Sequence, residues 1–502
     1  MKRRPNIIVV LLDTLRADHL SSYGHGRDTS PAINRLAEEG VLFEQAVSPA
    51  AWTPPSHASL FTGTFPSRHK VDRSNLVLPQ ELHPLPQVLQ RHGYRTYGVS
   101  SNYWLSRETS FDRGFDRFVH SWQVVQAGGT NAPLARQDRK HALDLQRLEQ
   151  AAEEGGFSRW YGGLVNSFYE KATQKLRKKW NLWDDGAWRV NWQVRQWLNE
   201  WSSSEAPVFA FLHYMEPHIR YAAPGRYRHL HLPKGVTGAQ AERVNQDPWK
   251  FLTGRTEMTE DDFDVLSRLY DGEISYVDTR VGQLVDMLKA AHLLDDTLLV
   301  VTSDHGENLG DHGFMDHCYC LYDSLLHVPL IARGPEGFSG GKRVSGQVQS
   351  NEIFATALDL AGVPDEDPAR SQIQTEGTLF PETAGGPEHA AFAEYGEPQP
   401  PLEVLRRRFP DFEGRNFDRS LRMVRQQGWK YIQATDGSEE LYDLAADPGE
   451  TQNQVETETA RADGLKAQLE ARFGPMEAAA SQEGLDLDAD TLKKLEQMGY
   501  LA

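Results

Sequence analysis

Cysteine is nearly absent from this sequence of 502 residues, in which Cys318 and Cys320 are separated by a single residue. A framework of disulfide bonds is therefore excluded. We expect the two thiols to be packed in the interior, and a redox or metal-binding role is the alternative. Long apolar runs are lacking too: residues 7–12 are too few for a signal-peptide core, and a bilayer span needs roughly 18 apolar residues. These absences predict a soluble, cytoplasmic protein with no transmembrane segment, and a form processed for the periplasm or for secretion is the alternative.

Basic residues are fewer than acidic ones. The chain has 53 lysines and arginines against 71 aspartates and glutamates, which gives a net charge of −18. An acidic surface of this size repels a polyphosphate backbone, so nucleic acid is excluded as a general partner. The remaining composition, with 39% hydrophobic and 25% charged residues, is that of a globular protein and excludes a disordered or fibrous chain.

Short apolar segments alternate with helical patterns along the larger part of the chain. Segments typical of buried strands lie at residues 7–12, 41–43, 96–99, 208–212 and 297–301. This alternation predicts an α/β fold, in which a large, mostly parallel sheet is flanked by helices. Beyond a loop rich in proline and glycine, short strand patterns and an acidic helical tail predict a smaller C-terminal antiparallel sheet with terminal helices. We therefore divide the chain into a domain over residues 1–370 and a subdomain over residues 371–502.

Tryptophan is concentrated between about residue 120 and residue 205, beside a basic run at residues 171–179. The first prediction for this insertion is a helical subdomain whose indoles pack on the main body. The alternative is a substrate lid or a peripheral membrane contact through residues 160–201, because basic amphipathic helices with tryptophan bind lipid headgroups. The sequence alone does not distinguish between the two.

Polar clusters directly follow three of the predicted strands. Their carboxylate and imidazole residues are Asp13, His213, Glu216, His218, Asp304, His305 and Glu307. Because the carboxyl ends of parallel strands meet at one edge of a sheet, we expect these side chains to converge. Carboxylates and imidazoles together suit a divalent cation such as Mn, Zn, Mg or Ca. For any one cluster alone, a capping aspartate or a hydrogen-bonded histidine is the alternative, and a second metal ion at His213, Glu216 and His218 is another.

Thr53 precedes a segment that has the marks of a helix N-terminus. Pro54 and Pro55 follow it, and small helix-forming residues then lead to Gly63, which predicts a helix that begins just after Thr53. A hydroxyl at this end lies in the positive field of the helix, which favours an alkoxide and an incoming anion. Coordination to a metal ion would lower the pKa of this hydroxyl further. The alternative is a threonine that only caps the helix.

Taken in order, these stretches resemble the sulfatase family of the alkaline phosphatase superfamily. The matching segments are residues 6–13, 53–63, 270–274, 302–313, 328–331, 440–444 and 447–450. The resemblance spans most of the chain and implies that residues 1–370 form a catalytic domain of that family. It also implies one divalent metal ion, with Asp13, Thr53, Asp304 and His305 as its ligands.

Four positions depart from the family's pattern. Thr53 stands where the family has the cysteine or serine that becomes formylglycine, and a threonine cannot become that aldehyde, so no formylglycine is expected. His57 stands where the family's signature has an arginine that holds substrate oxygens. His317 stands where the family has a second lysine, and Asn102 stands where it often has a lysine and resembles the phosphate-contacting asparagine of related phosphodiesterases. His218 matches the family's substrate-binding histidine. The resemblance therefore implies Thr53, His218 and His317 as catalytic residues, and His57 and Asn102 as substrate-binding residues.

A threonine nucleophile changes the chemistry that is expected of such a site. A formylglycine hydrate releases sulfate by collapse to the aldehyde, whereas an ester on threonine has to be cleaved by water, which phosphoryl-enzymes undergo readily. Superfamily members with a threonine nucleophile are phosphodiesterases, phosphonate hydrolases and phospholipid-headgroup transferases. We therefore expect a metal-dependent hydrolase of phosphate diesters, phosphate monoesters or phosphonate esters of a small molecule or lipid headgroup. The alternatives are a sulfuric ester hydrolase of the arylsulfatase type, a phosphoryl-group transferase and a catalytically inactive binding protein.

Overall fold

The computed structural model of the chain describes residues 4–124, 184–335, 337–375, 377–386, 389–399, 402–414 and 417–476. Its strands are β1 Asn6–Leu12, β2 Val41–Val47, β3 Arg95–Ser100, β4 Arg117–His120, β5 Val208–Tyr214, β6 Thr297–Thr302, β7 Asn308–Leu309, β8 Met315–Asp316, β9 His327–Arg333, β10 Lys342–Gln349, β11 Ala391–Tyr395, β12 Leu421–Gln426, β13 Trp429–Ala434 and β14 Glu439–Asp443. Its α-helices are α1 Pro31–Glu39, α2 Thr53–Thr62, α3 Pro66–His69, α4 Leu85–Arg91, α5 Ala187–Ser203, α6 Gly238–Ala241, α7 Pro248–Leu252, α8 Glu260–Ala290, α9 Asp323–Leu326, α10 Glu352–Leu360, α11 Pro368–Gln372, α12 Leu402–Arg408 and α13 Thr459–Phe473.

Eight of these strands form the main sheet, in the order β10-β2-β9-β6-β1-β5-β3-β4. Strand β1 pairs in parallel with β5 and β6, β3 pairs in parallel with β4 and β5, and β10 pairs in parallel with β2. Within this sheet β9 is the strand that runs antiparallel, against β2 and β6. The predicted large, mostly parallel sheet with flanking helices is therefore confirmed.

Strand β1 lies in the interior of this sheet and is buried along its whole length. Ile8 and Val10 belong to the core layer that contains α5 and α8, whereas Ile7 and Val9 belong to the layer that contains α2, α4 and α10. Alternate residues of a strand point to opposite faces, so burial on both faces requires the unbroken apolar run seen in the sequence. The end of this strand brings Asp13 to the edge of the sheet between the two helical layers.

The described end of the tryptophan-rich insertion packs on the main sheet. In α5, Trp197 and Trp201 are buried, and their ring centroids lie 5.2 and 5.4 Å from the ring centroid of Tyr97 in β3. Packing on the main body is therefore confirmed for this helix. Residues 125–183 lie outside the described residues, and with them most of the membrane contact predicted through residues 160–201. Within the described part of the chain, no helix is both long enough and apolar enough to cross a membrane.

A second sheet of four antiparallel strands is formed by β11, β12, β13 and β14. Leu465 and Leu469 of α13 share a buried core with Val424 and Tyr431 on one face of this sheet. The predicted small antiparallel sheet with a C-terminal helix is confirmed. The predicted helical tail continues into residues 477–502, which lie outside the described residues, and the division of the chain near residue 370 stays a prediction.

A buried ion-pair network connects the second sheet to α9. Lys430 Nζ is buried in β13 and lies 2.9 Å from Asp323 Oδ1 and 2.7 Å from Glu450 Oε1. Arg425 Nη1 lies 2.8 Å from Asp323 Oδ2. Burial raises the pKa of Glu450 to about 7, against the opposing effect of Lys430. Because an unpaired buried charge is costly, the network holds only while its cations stay in place.

Replacing Lys430 with methionine is expected to lower the free energy of unfolding by about 3–5 kcal/mol, because Glu450 loses its cation and Asp323 loses one of two. The shift of the urea unfolding midpoint measures this loss. The matched control is Lys466→Met, because Lys466 pairs with Glu439 near the surface, where such pairs contribute about 0–1 kcal/mol. Equal shifts in the two variants would contradict the importance of the buried network.

Candidate active site

The carboxyl ends of three adjacent strands and the start of one helix meet at the edge of the main sheet. Asp13 follows β1, Asp304 and His305 follow β6, and His213 lies near the end of β5. Since β1 lies between β5 and β6, these side chains come from neighbouring strands. Thr53 is the first residue of α2. The predicted convergence of the polar clusters is confirmed for these residues.

Asp13, Asp304 and His305, which we call the primary cluster, offer ligand atoms that all lie within 4.8 Å of one another. All three side chains are buried, and neither Asp13 Oδ1 nor Asp304 Oδ2 has a hydrogen-bond partner. An unpaired carboxylate oxygen in the interior is costly, whereas a divalent cation with oxygen and imidazole ligands removes that cost. The primary cluster therefore fits a divalent cation.

The hydroxyl of Thr53 faces the primary cluster and does not cap the helix to which it belongs. Its Oγ1 lies 3.3 Å from His305 Nε2. Helix α2 begins at Thr53 itself, one residue earlier than predicted, and its N-cap is Trp52, with no side-chain capping bond. The alternative of a threonine that only caps the helix is therefore wrong. Ser56 Oγ donates to the carbonyl of Asp304 at 2.7 Å, which fixes the start of α2 against the loop after β6.

Asp13 is oriented by two neighbours that occupy the same oxygen. Asn102 Nδ2 donates to Asp13 Oδ2 at 3.0 Å, and His213 Nε2 lies 3.2 Å from that oxygen. Burial raises the pKa of Asp13, but the hydrogen bond with His213 and the charges of His218 and His305 hold it well below its usual range. With Oδ2 held by two side chains, Oδ1 is left for a cation. Asn102, which the resemblance assigns to substrate binding, thus contacts a metal-ligand candidate.

Replacing Asn102 with alanine is expected to weaken Mn²⁺ affinity by about 10–100-fold, since residues that orient a metal ligand have effects of this size. Isothermal titration calorimetry measures the change. The matched control is Asn191→Ala, because Asn191 is a buried asparagine that accepts a hydrogen bond from Tyr214 and does not contact the primary cluster. Unchanged Mn²⁺ affinity in Asn102→Ala would show that Asn102 does not act through Asp13.

His57 lies one helical turn after Thr53 in α2 and is fully buried. Its Nδ1 donates to the carbonyl of Thr53 at 2.8 Å and lies 3.5 Å from Asp304 Oδ2. Burial lowers the pKa of His57 to about 4, so the ring is neutral near neutral pH. A neutral imidazole lacks the positive charge of the arginine that the family resemblance implies for this position. What the structure gives His57 is a link between Thr53 and Asp304.

His218 and His317 lie side by side next to the primary cluster. Their ring centroids are 5.0 Å apart, and the ring centroid of His317 lies 4.6 Å from that of His305. His218 Nδ1 donates to a backbone carbonyl at 2.7 Å. His317 Nδ1 lies 2.7 Å from Asp316 Oδ1 and 3.2 Å from Glu307 Oε1. Burial opposes the protonation of His317, but these two carboxylates raise its pKa well above the ordinary value.

The second metal ion considered for His213, Glu216 and His218 has no common site in the described residues. Glu216 Oε1 accepts from the amide groups of Asp185 and Ala187 at 3.1 and 3.3 Å, where α5 begins. His213 instead faces the primary cluster, and the three side chains do not form a group of ligand atoms. That alternative is wrong, because the carboxylate is used at a helix N-terminus.

Cys318 and Cys320 are buried and free. Burial raises the pKa of both thiols, that of Cys320 to about 12. Because the thiolate is the form that reacts and binds metals, these pKa values oppose the redox or metal-binding alternative. The prediction of two packed thiols is confirmed.

The loop after β6 is held in place by α9. The amide of Gly306 donates to the carbonyl of Leu325 at 2.7 Å, and the amide of Glu307 donates to the carbonyl of Ser324 at 3.1 Å. A Cβ atom on Gly306 would overlap the carbonyl oxygen of Ser324. The close approach therefore requires glycine, and α9 determines where the loop presents its metal-ligand candidates.

The sequence model of the family described as Sulfatase matches residues 5–363, which is more than half of the chain. The chain belongs to the sulfatase family. Sulfatase-family membership makes the protein an ester hydrolase of a family whose enzymes use a metal ion.

Individual sulfatase relatives cover most of the chain. The protein is 24% identical over 505 residues to the N-acetylglucosamine-6-O-sulfatase of Bacteroides thetaiotaomicron, and the alignment covers 90% of this chain and 82% of that protein. It is 24% identical over 475 residues to the choline-sulfatase of Rhizobium meliloti, with 90% and 83% covered. The solved structure of the phosphonate monoester hydrolase of Agrobacterium radiobacter matches with a TM-score of 0.65 at 22% identity, and covers 93% of this chain and 95% of that chain. This likeness shows the same fold.

His213 is the residue of this sulfatase-family site that sequence reasoning did not assign correctly. The sequence predicted that His213 converges with the other strand-end residues, but the role considered for it was that of a ligand of a second metal ion and not that of a partner of Asp13. Its position in the sheet carries the missing signal, because His213 is paired in register with Leu11, two residues before Asp13. A histidine at that position of the neighbouring strand is brought beside the first aspartate of the site.

Proposed function

We propose that this ester hydrolase uses the hydroxyl of Thr53 as its nucleophile and acts on phosphate diesters, phosphate monoesters or phosphonate esters. The observation that supports this most is the position of Thr53 Oγ1, 3.3 Å from His305 Nε2 at the N-terminus of α2 and not engaged in capping. The positive field of a helix N-terminus favours an alkoxide and an anionic ester. Threonine cannot release sulfate by the aldehyde route of formylglycine, so the covalent ester has to be one that water cleaves.

Asp13, Asp304 and His305 would hold the divalent cation, with Thr53 as a further ligand. When bound, the cation lowers the pKa of the Thr53 hydroxyl and offsets negative charge on the ester oxygens. Because Asn102 and His213 fix one oxygen of Asp13, the other oxygen is oriented before substrate arrives. The ligand set is thereby rigid, which is what electrostatic stabilisation of a transition state requires.

The covalent step follows from the position of Thr53. Its Oγ1 gives up its proton to solvent, attacks phosphorus and forms a new oxygen–phosphorus bond, while the bond from phosphorus to the leaving oxygen breaks. The leaving oxygen takes a proton from His218 or His317, whose rings are adjacent. Water then cleaves the phosphothreonine: its oxygen bonds to phosphorus, the bond from phosphorus to Thr53 Oγ1 breaks, and its two protons go to Oγ1 and to the histidine that had lost one. Since Pro54 and Pro55 have no amide hydrogen, α2 contributes mainly its field to the nonbridging oxygens.

A sulfuric ester hydrolase is the second candidate, and membership of the sulfatase family favours it. On this alternative the same hydroxyl would attack sulfur, and water would have to cleave a threonine sulfate. We favour phosphorus because phosphoryl-enzymes undergo that second step readily.

A panel of four aryl esters tests the proposal: a sulfate, a phosphate monoester, a phosphate diester and a phosphonate monoester, each with Mn²⁺ or Zn²⁺. We expect turnover of a phosphorus ester to exceed that of the sulfate, and mass spectrometry of rapidly quenched samples to find phosphate on Thr53. Turnover of the sulfate alone, with no phosphothreonine, would overturn the proposal. Glycerol added as a competing acceptor separates the remaining alternatives, because a transferase gives glycerol phosphate and a binding protein gives no turnover.

A further inference from the structure

A second group of ligand atoms lies beside the primary cluster. Glu307, Asp316 and His317, which we call the adjacent cluster, offer ligand atoms that lie within 4.8 Å of one another. Its two shortest separations, 2.7 and 3.2 Å, join His317 Nδ1 to the two carboxylates. The adjacent cluster therefore repeats the donor set of the primary cluster, two carboxylates and one imidazole.

The adjacent cluster is buried and its charges are not balanced. Its three members are 0, 4 and 5% exposed, in the order Glu307, Asp316 and His317. Two carboxylates face one imidazole, so a proton on that ring cancels only one of two negative charges. Glu307 Oε2 is buried, and the hydroxyl of Tyr221 faces Glu307 as a neutral hydrogen-bonding group that brings no positive charge. A buried carboxylate oxygen in this state is costly unless a cation reaches it.

In the described part of the chain, no lysine or arginine side chain pairs with the adjacent cluster, and the basic group beside it is the ring of His218. Arg16 Nη1 donates to the backbone carbonyl of Glu307, and its other hydrogen bonds go to Asp18 and Asp311. The buried carboxylate of Asp323 differs in this respect, because two cationic side chains pair with it directly. The adjacent cluster thus has the chemistry of a metal site and not that of a completed ion-pair network.

The two clusters are neighbours. The ring centroids of His305 and His317, one from each cluster, lie 4.6 Å apart. In two-metal hydrolases the ions lie about 3.5–4 Å apart, and together they stabilise the attacking and the leaving oxygen of a displacement. Two donor sets of the same composition at such close range are the arrangement that this chemistry needs.

We propose that Glu307, Asp316 and His317 bind a second divalent cation beside the one held by the primary cluster. Occupancy of this site does not depend on the substrate. Its role, which rests on the proposed function, is to stabilise negative charge on the leaving oxygen. With His317 Nδ1 engaged as a ligand of this cation, the proton for the leaving group comes from His218.

Metal stoichiometry tests the proposal without reference to activity. The full chain is stripped with a chelator, titrated with Mn²⁺, and analysed by calorimetry and by elemental analysis after gel filtration. We expect two Mn²⁺ per chain for the wild type and one for Glu307→Gln or for Asp304→Asn. The matched control is Glu352→Gln, because Glu352 is also a buried glutamate beside a histidine, His389, but pairs with neither cluster. The Glu352→Gln variant is expected to retain two Mn²⁺ per chain.

Electron paramagnetic resonance of the Mn²⁺-loaded chain gives a second readout that needs no variant. We expect the spin-coupled signal of two close ions for the wild type. One Mn²⁺ per chain, or two uncoupled ions, would overturn the proposal. Two ions that persist in Glu307→Gln would also overturn it, because the second ion would then lie elsewhere, for example at the His19, His25 and Asp271 group. A coupled pair without any ester turnover would contradict the proposed function and leave the second site standing.

Discussion

Thr53→Ala is expected to lower kcat/KM for the preferred ester by about 10³–10⁶-fold, the range found when a nucleophile is removed from an enzyme that works through a covalent intermediate. The reason is geometric. Thr53 Oγ1 faces the primary cluster at the start of α2. The next hydroxyl along the helix, that of Ser56, already donates to the carbonyl of Asp304 and cannot replace it. Steady-state hydrolysis of the best ester from the four-substrate panel measures the loss.

The matched control for this experiment is Thr62→Ala. Thr62 is buried at the other end of the same helix, where its hydroxyl donates to the carbonyl of Ala58 at 2.6 Å. Its removal is expected to leave kcat/KM near the wild-type value. Thr53→Ser keeps the hydroxyl and is expected to retain part of the activity and the covalent intermediate. Activity of Thr53→Ala equal to that of Thr62→Ala would exclude Thr53 as the nucleophile.

Asp304→Asn is expected to lower kcat/KM by about 10³-fold, because the loss of several kcal/mol of cation-derived stabilisation corresponds to that factor. Asp304 Oδ2 is buried and has no hydrogen-bond partner, so its charge is available to a cation. In the wild type, a cation at 100 times its Kd is expected to stabilise the fold by about 2.7 kcal/mol at each site that it fills. Differential scanning fluorimetry with and without Mn²⁺ measures the stabilisation, and Asp304→Asn should show less of it.

Asp278→Asn is the control for the loss of a buried aspartate. Asp278 is buried and accepts hydrogen bonds from the amides of Ala32 and Ile33 at the start of α1, away from both clusters. It is expected to lower stability in the presence and in the absence of Mn²⁺ by the same amount. An Asp304→Asn variant that gains as much stability from Mn²⁺ as Asp278→Asn does would exclude Asp304 as a ligand.

The sheet was predictable because burial on both faces leaves a clear mark in the sequence. Residues 7–12 and 208–212 are unbroken apolar runs, and both became interior strands, β1 and β5. Strand direction was not predictable in the same way. Strand β9 runs antiparallel to both of its neighbours, β2 and β6. Its residues 328–331 are nevertheless as apolar as the strands that pair in parallel, since burial selects composition and not direction.

The site was predictable only as far as strand ends and the family resemblance define it. Asp13, Asp304 and His305 follow their strands directly, so their convergence required only the sheet. Glu216 also follows a strand, but its carboxylate accepts hydrogen bonds at the start of α5 and does not join the site. This orientation depends on the packing of a helix from another part of the chain. The neutral state of His57 could not be predicted either, because it follows from complete burial and not from residue type.

The position of α9 makes the candidate active site dependent on residues far along the chain. This helix receives the amides of Gly306 and Glu307, and its first residue, Asp323, pairs with Arg425 and Lys430 of the second sheet. A truncated protein that ended before β11 would keep every member of both clusters but lose the anchor behind them. Shortening this enzyme to its main sheet, for crystallisation or for engineering, is therefore a poor strategy, and a minimal active version has to extend at least through β13.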